Sequence, residues 1–298
     1  MKIENPIKIL VKRRAALGDV VMTTGVVREL RKAHGTTATI DICTDFIDVY
    51  RRNPHVDNVY KDMPIGKHYD VIYDLDNSYE FNPRNHFVDT YFHRVFGLDH
   101  GRDQSMELFP TPEDRARVEQ DIAENIGDNF IVIHMRNWYW ANKNIQPQTW
   151  FQILEGVFTQ TVDTKVVLVG GPNDISINDH PLIVNRLGAY NLQEEHVLMS
   201  HARLFIGVDS GPFHIAGTSA CPILALLSHV RPEYILPYRD GELGKNCTTI
   251  QASVSCVGCH ERQVRPVSQL ICEQNQTYPC NTDWDVDAIV QVILNHVK

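Results

Sequence analysis

What most constrains this chain is a twofold run of alternating strand and helix patterns, because such alternation builds parallel sheets covered by helices. In the first run Ile7 to Arg13 reads as a strand, Val20 to Ala33 as a helix, Ala38 to Cys43 as a strand and Phe46 to Arg52 as a helix. Val71 to Leu75 follows as a buried strand and Phe87 to Phe96 as a helix. Thr111-Pro112-Glu113-Asp114 then opens another helix with a cap, a first-turn proline and early acids. Near Gly127-Asp128-Asn129 the pattern restarts. Phe130 to His134 is a strand, Pro147 to Thr161 a helix and Lys165 to Val169 a strand that ends in the turn Gly170-Gly171-Pro172-Asn173. A short helix at Glu194 to Arg203 precedes the strand Leu204 to Val208, Ile223 to Leu227 is another strand, and Val286 to His296 is a closing amphipathic helix. The expected architecture is α/β with two domains, residues 1–127 and 128–298, and a ligand in the cleft that faces the strand C-termini.

At 298 residues each half is long enough to bury its own core, and 43% hydrophobic with 22% charged residues is a globular composition. The early apolar run Ile7 to Val11 is too short for a signal peptide or a membrane span. A cytoplasmic location is therefore expected, with peripheral attachment to the inner membrane face as a variant of it. The net charge of −9 disfavours an extended nucleic-acid surface. Lys12, Arg13 and Arg14 end the first strand, while Arg28, Arg31, Lys32, Arg51 and Arg52 close two helices. These cations either complement helix dipoles or form a patch for an acceptor.

Three loops face the expected cleft. Asp209-Ser210-Gly211-Pro212-Phe213-His214 runs from a strand into a helix, a setting whose free N–H groups suit a phosphate. Gly211 permits close backbone approach, and Ser210 and His214 add donors; an ordinary capped helix start has the same look. Ala16-Leu17-Gly18-Asp19 ends the first strand, with Thr23 and Thr24 one turn later. Gly18 suits a tight turn, and Asp19 either caps the helix or points a carboxylate into the cleft. His134-Met135-Arg136-Asn137-Trp138-Tyr139-Trp140 leads to Lys143, a cation suited to a diphosphate. The aromatics either wall off a base or sugar or cover the interdomain core.

Four of the seven cysteines, Cys256, Cys259, Cys272 and Cys280, fall in one stretch at about 254–282. A CxxC pair followed by two more thiols reads as a tetrahedral structural site, zinc first and iron second; free thiols or two disulfides are the alternatives. His260 is a further candidate ligand.

Several of these elements together resemble glycosyltransferase family 9, the ADP-heptose:lipopolysaccharide heptosyltransferases and their relatives. Ala16 to Thr24 reads Ala-Leu-Gly-Asp-x-x-x-Thr-Thr, with Val27, Leu30 and Arg31 after it. Asn53-Pro54-His55-Val56-Asp57-Asn58-Val59 is similar to a second family element, and Val167 to Pro172 and Asp209 to Ala216 to later ones. One departure stands out. The family's Lys-x-Trp-Pro is here Lys143-Asn144-Ile145-Gln146-Pro147, while Trp150 keeps its helix position.

The resemblance implies a GT-B fold, two Rossmann-like domains facing across a cleft, with the acceptor on the N-terminal domain and the nucleotide sugar on the C-terminal one. It implies an inverting transfer of heptose or a related sugar from a nucleotide diphosphate to an acceptor hydroxyl. Asp19 becomes the general base, with Gly18 and Thr23 beside it. Lys143 becomes the diphosphate cation, with Gly170, Gly171, Asp209, Ser210, Gly211, Pro212 and His214 around the donor. No catalytic metal is implied, but autotransporter heptosyltransferases carry an iron finger held by four cysteines. The acceptor is left open between a saccharide, a protein side chain and a modified base, and homo-oligomers are allowed. A sugar-nucleotide epimerase and a non-catalytic nucleotide-sugar-binding protein are the competing readings on the same architecture.

Overall fold

A computed structural model describes residues 6–98, 101–137, 140–177, 180–266 and 269–298. Strands β1 (Lys8–Lys12), β2 (Thr39–Cys43), β3 (Asn58–Tyr60) and β4 (Val71–Asp74) form a parallel sheet ordered β3-β2-β1-β4. A second parallel sheet contains β5 (Phe130–His134), β6 (Lys165–Leu168), β7 (Ile183–Asn185), β8 (Phe205–Gly207), β9 (Ile223–Leu227) and β12 (Cys247–Gln251). Its order is β12-β9-β8-β5-β6-β7. Between its last two strands the pair β10 (Tyr238–Arg239) and β11 (Glu242–Leu243) forms a small antiparallel hairpin.

Ten helices accompany the sheets among the described residues: α1 (Leu17–Met22), α2 (Thr24–His34), α3 (Phe87–Phe96), α4 (Pro112–Asp121), α5 (Pro147–Phe158), α6 (Leu192–His201), α7 (Gly211–Gly217), α8 (Pro232–Ile235), α9 (Cys259–Arg262) and α10 (Val286–Val297). Alternation along β5 shows how the core is divided. Phe130 and Val132 face a core shared with α6 and α7, whereas Ile131 and Ile133 face a second core with α5 and α10. A strand covered on both faces needs an unbroken apolar run, and Phe130-Ile131-Val132-Ile133 supplies one.

The structure departs from the expected elements in three places. The helix expected over Val20 to Ala33 is two helices broken at Thr23, whose hydroxyl donates to Val20 O at 2.7 Å and pairs with the Tyr50 hydroxyl at 2.8 Å. Phe46 to Arg52 contracts to a 3-10 turn over Ile47–Tyr50. Finally, β3, β7 and β12, all edge strands with half-exposed residues, had no counterpart among the expected strands, and β4, expected as a buried strand, is itself an edge strand whose residues are half-buried or exposed.

Helix α1 of the first unit packs on α7 of the second. Two glycines make that approach: a Cβ on Gly18 would fall 2.4 Å from His214 Cδ2, and one on Gly211 would fall 2.7 Å from Leu17 Cδ2. The tight turn expected at Gly18 lies instead at Ala16, whose φ of 66° is left-handed. Helix α4 opens with a capping box between Thr111 and Asp114 and packs on α6. No helix among the described residues is long and apolar enough to cross a membrane.

Candidate active site

Between the two units lies a cleft of about 930 Å³ lined from both sides. Asp19 and Gly18 line one wall; Lys143, Gly170, Gly171, Asp209, Ser210, Gly211, Pro212 and His214 line the other. Thr23 is absent from the lining because its hydroxyl holds the break between α1 and α2.

On the first wall Asp19 does not cap its helix; Ala16 occupies the N-cap, with no side-chain cap bond. The carboxylate instead meets Arg13 Nη2 at 2.6 Å and accepts from the Tyr91 hydroxyl at 3.3 Å. The same Arg13 nitrogen lies 3.3 Å from Glu80 Oε1, so one buried guanidinium serves two buried carboxylates. Burial raises the Glu80 pKa, Arg13 opposes the shift and Asp19 adds to it. The basic run is not a free patch. Lys12 is matched by Asp74 at 2.9 Å and Asp76 at 3.0 Å, and Arg14 by Asp45 at 2.7 Å.

On the second wall the Lys143 ammonium pairs with Asp209 Oδ2. His229 Nε2 stands 3.1 Å from the same oxygen, and His214 Nε2 3.4 Å from Oδ1. Burial alone would push the Asp209 carboxyl up, but Lys143 and the two histidines outweigh it and hold it well below the usual range. Burial and Lys143 push the His229 ring down to about 4. Neither Asp209 nor Ser210 caps α7: Ser210 occupies the N-cap without a side-chain cap bond, and its hydroxyl pairs with His134 Nδ1 at 2.9 Å.

That histidine starts a network along the strand ends. His134 Nε2 meets Asp174 Oδ2 at 3.1 Å, and the same oxygen accepts from Gly171 N at 2.8 Å. Gly170 sits at φ 131°, where a Cβ would fall 2.5 Å from Asp174 Oδ2, so the glycine pair shapes a turn around this carboxylate. Glu195 completes the row; burial first and Asp174 second push its carboxyl up to about 8. Arg136 and Lys143 both lie over Trp140 at 5.7 Å. Trp138 and Tyr139 lie outside the described residues, and Trp150 is a buried core residue of α5.

Glu80, His134, Asp174, Glu195 and His229 carried no signal of their own in the sequence. Each is an isolated polar residue whose decisive side-chain contact lies far along the chain, as with the 40 positions between His134 and Asp174 and the 67 between Arg13 and Glu80.

The four clustered cysteines line one small cavity of about 20 Å³ together with Ser228, His229 and Glu273. All are free thiols. Among the described residues no group of three or more His, Cys, Asp or Glu side chains is set to hold a metal ion, so the expected four-thiolate site is not formed as placed. His260 is fully buried with both ring nitrogens unpartnered, outside that cavity.

No curated protein sequence matches the chain. Solved structures similar to it include a glycosyl transferase family 9 protein from Veillonella parvula, at 15% identity and TM-score 0.74, covering 100% of this chain and 98% of that one. The iron-containing dodecameric glycosyltransferase TibC from enterotoxigenic E. coli is similar at 14% identity and TM-score 0.70, covering 99% and 80%. E. coli ADP-heptose lps heptosyltransferase II follows at 16% identity and TM-score 0.65, covering 97% and 100%. These likenesses carry the fold, two parallel α/β units in the GT-B arrangement. In sequence, residues 75–264 match the family described as glycosyltransferase family 9 (heptosyltransferase). With that match over most of its length and this fold around its cleft, the chain belongs to glycosyltransferase family 9.

Proposed function

We propose that the protein transfers heptose or a related sugar from a nucleotide diphosphate donor to an acceptor hydroxyl, with inversion and with Asp19 as general base. One observation carries this reading: Asp19 and the Lys143–Asp209 pair line opposite walls of a single cleft. Residues 1–127 hold the acceptor and 128–298 the donor in this account. Asp19, held in place by Arg13, takes the proton of the acceptor hydroxyl as its oxygen attacks the anomeric carbon. The bond from that carbon to the diphosphate oxygen breaks, and charge collects on the leaving group. Lys143 has three N–H donors, enough to keep Asp209 while it meets the diphosphate. Gly170, Gly171, Ser210, Gly211, Pro212 and His214 shape the donor side around it.

Incubation with a panel of nucleotide sugars tests the proposal, starting with ADP-heptose, the ligand in a solved TibC complex. Nucleoside diphosphate release that requires an acceptor supports it. Isomerisation of the donor, or thermal stabilisation without turnover, refutes it.

A structural role for Cys256, Cys259, Cys272 and Cys280 as thiolate ligands of zinc or iron belongs to the same reading. What supports it is that all four thiols line one small cavity, although they do not converge on a common point there. Elemental analysis of the purified protein decides between one equivalent of metal and none.

A further inference from the structure

The cysteine cavity and the donor side of the cleft share a wall. Asn142 lines the cavity, and Lys143, next to it in the 3-10 turn Ala141–Lys143, lines the cleft. His229 also lines the cavity, and its Nε2 stands 3.1 Å from Asp209 Oδ2, the oxygen that Lys143 meets. Ser228, a third cavity residue, donates from Oγ to Asn142 O at 2.8 Å. The loop after β9 therefore touches both members of the Lys143–Asp209 pair, the lysine through the backbone of its turn and the aspartate through an imidazole.

The cysteine segment grips this wall from behind. Gly258, between Cys256 and Cys259, donates from its backbone N to Ser228 O at 2.9 Å, and His260 N donates to His229 O at 2.9 Å. The turn Pro279–Asn281, which contains Cys280, packs on the turn Ala141–Lys143. Asn281 O then accepts from Gln146 N at 2.9 Å. Both halves of the cysteine cluster are thus tied to the donor pair, Cys256 and Cys259 through Ser228 and His229, and Cys280 through the lysine's own turn. Asn142, Ser228, His229 and the cysteines are absent from the cleft lining, so their influence on a donor passes through Lys143 and Asp209. An ammonium on a flexible stem stands where its backbone and the groups at its head place it. Ser228 and His229 are buried, and a packed wall moves as a unit.

Resting on the donor-site reading above, we propose that the cysteine segment positions the donor cation. Ser228 and His229 are positioning residues that hold Lys143 and Asp209 in register for a nucleoside diphosphate, and a change at the thiols is read out as a change in affinity for it. A segment that only stabilised the fold would alter the melting temperature and leave that affinity alone.

The test compares the binding of ADP with that of adenosine, which lacks the diphosphate, by calorimetry and ligand-observed NMR on the full chain. Ser228→Ala and Cys280→Ser are each expected to raise Kd for ADP by about five- to tenfold and to leave Kd for adenosine within about twofold. Ile289→Val, in the core of the same unit, is the control; it should lower the melting temperature and change neither Kd. Should Cys280→Ser fail to fold, Ser228→Ala decides. Unchanged ADP affinity in the folded variants, or equal loss for ADP and adenosine, overturns the inference and leaves the transferase reading standing. A wild-type protein that binds ADP no better than adenosine brings down the donor role of Lys143, and the inference with it.

Discussion

The two walls of the cleft each bury a carboxylate against a cation, yet they balance charge in opposite ways. On the first wall one arginine, Arg13, serves both Asp19 and Glu80. On the second, one carboxylate, Asp209, is served by Lys143, His214 and His229. The first wall therefore has acceptor capacity to spare and the second has donors to spare. A hydroxyl that must lose a proton suits the former, and a leaving diphosphate suits the latter. The pKa directions follow the same division, with Glu80 raised and Asp209 held well below its usual range.

The largest effect expected from this contrast is on turnover. Asp19→Asn keeps the shape of the first wall but cannot take a proton, so transfer should fall by about 10²- to 10⁴-fold. Binding of ADP-heptose, read by calorimetry, should stay close to wild type, because the donor meets the other wall. Equal loss of turnover and donor binding would falsify the division of labour.

Next come the cations. Removing one partner of a buried pair leaves an uncompensated charge, at a cost of about 3 to 5 kcal/mol. Arg13→Met strands two carboxylates, Asp19 and Glu80, whereas Lys143→Met strands one, Asp209. Denaturant unfolding should place Arg13→Met near the upper end of that range and Lys143→Met near the lower. The reverse order would contradict the charge count.

Glu195 sharpens the picture of the second wall through pH. Its folded pKa of about 8 lies above the ordinary 4.5, so the folded chain retains a proton that the unfolded chain releases. Stability from this group is full below the unfolded value and is lost as pH rises through the folded one, by about 1.4 kcal/mol per pH unit in between. Glu195→Gln cannot ionise, and its melting temperature should fall less steeply than wild type from about pH 5 to pH 8. Parallel curves would mean that Asp174 and burial do not hold the proton on Glu195.

The smallest effect concerns the seam between the walls. Gly18→Ala pushes a methyl against the His214 ring, with an expected cost of about 1 to 3 kcal/mol. Gly211→Ala meets Leu17, with Cδ2 at 2.7 Å, Cγ at 3.1 Å and Cβ at 3.3 Å, a looser fit than the His214 ring leaves at Gly18, and should cost somewhat less. Melting temperatures of the two variants rank them directly.

Legibility in the sequence followed apolar patterning, strongest in buried elements and also present in the half-exposed edge strand β4. Phe87–Phe96, Phe130–His134 and Ile223–Leu227 appear with the bounds that their apolar patterns indicate, since buried elements must be apolar along their length. The edge strands β3, β7 and β12 left no such trace, and neither did the break at Thr23, which depends on a hydroxyl contact with Tyr50 across 27 positions. The loop at Asp209 to His214 was legible as a strand-to-helix turn facing the cleft. Its pairing with Lys143 joins residues 66 positions apart and required the fold.

By itself the sequence determined the two α/β units, the motifs at Asp19 and Asp209 and the gathering of four cysteines, because periodicity and short-range spacing are properties of the chain. Only the tertiary structure decided which charges share a partner. It gave Arg13 to Asp19 and Glu80 together, closed Gly18 on His214, and set Asp174 between His134 and the Gly170–Gly171 turn. The reason is physical: a buried charge is defined by the groups that surround it in space, and those groups come from loops far apart along the chain.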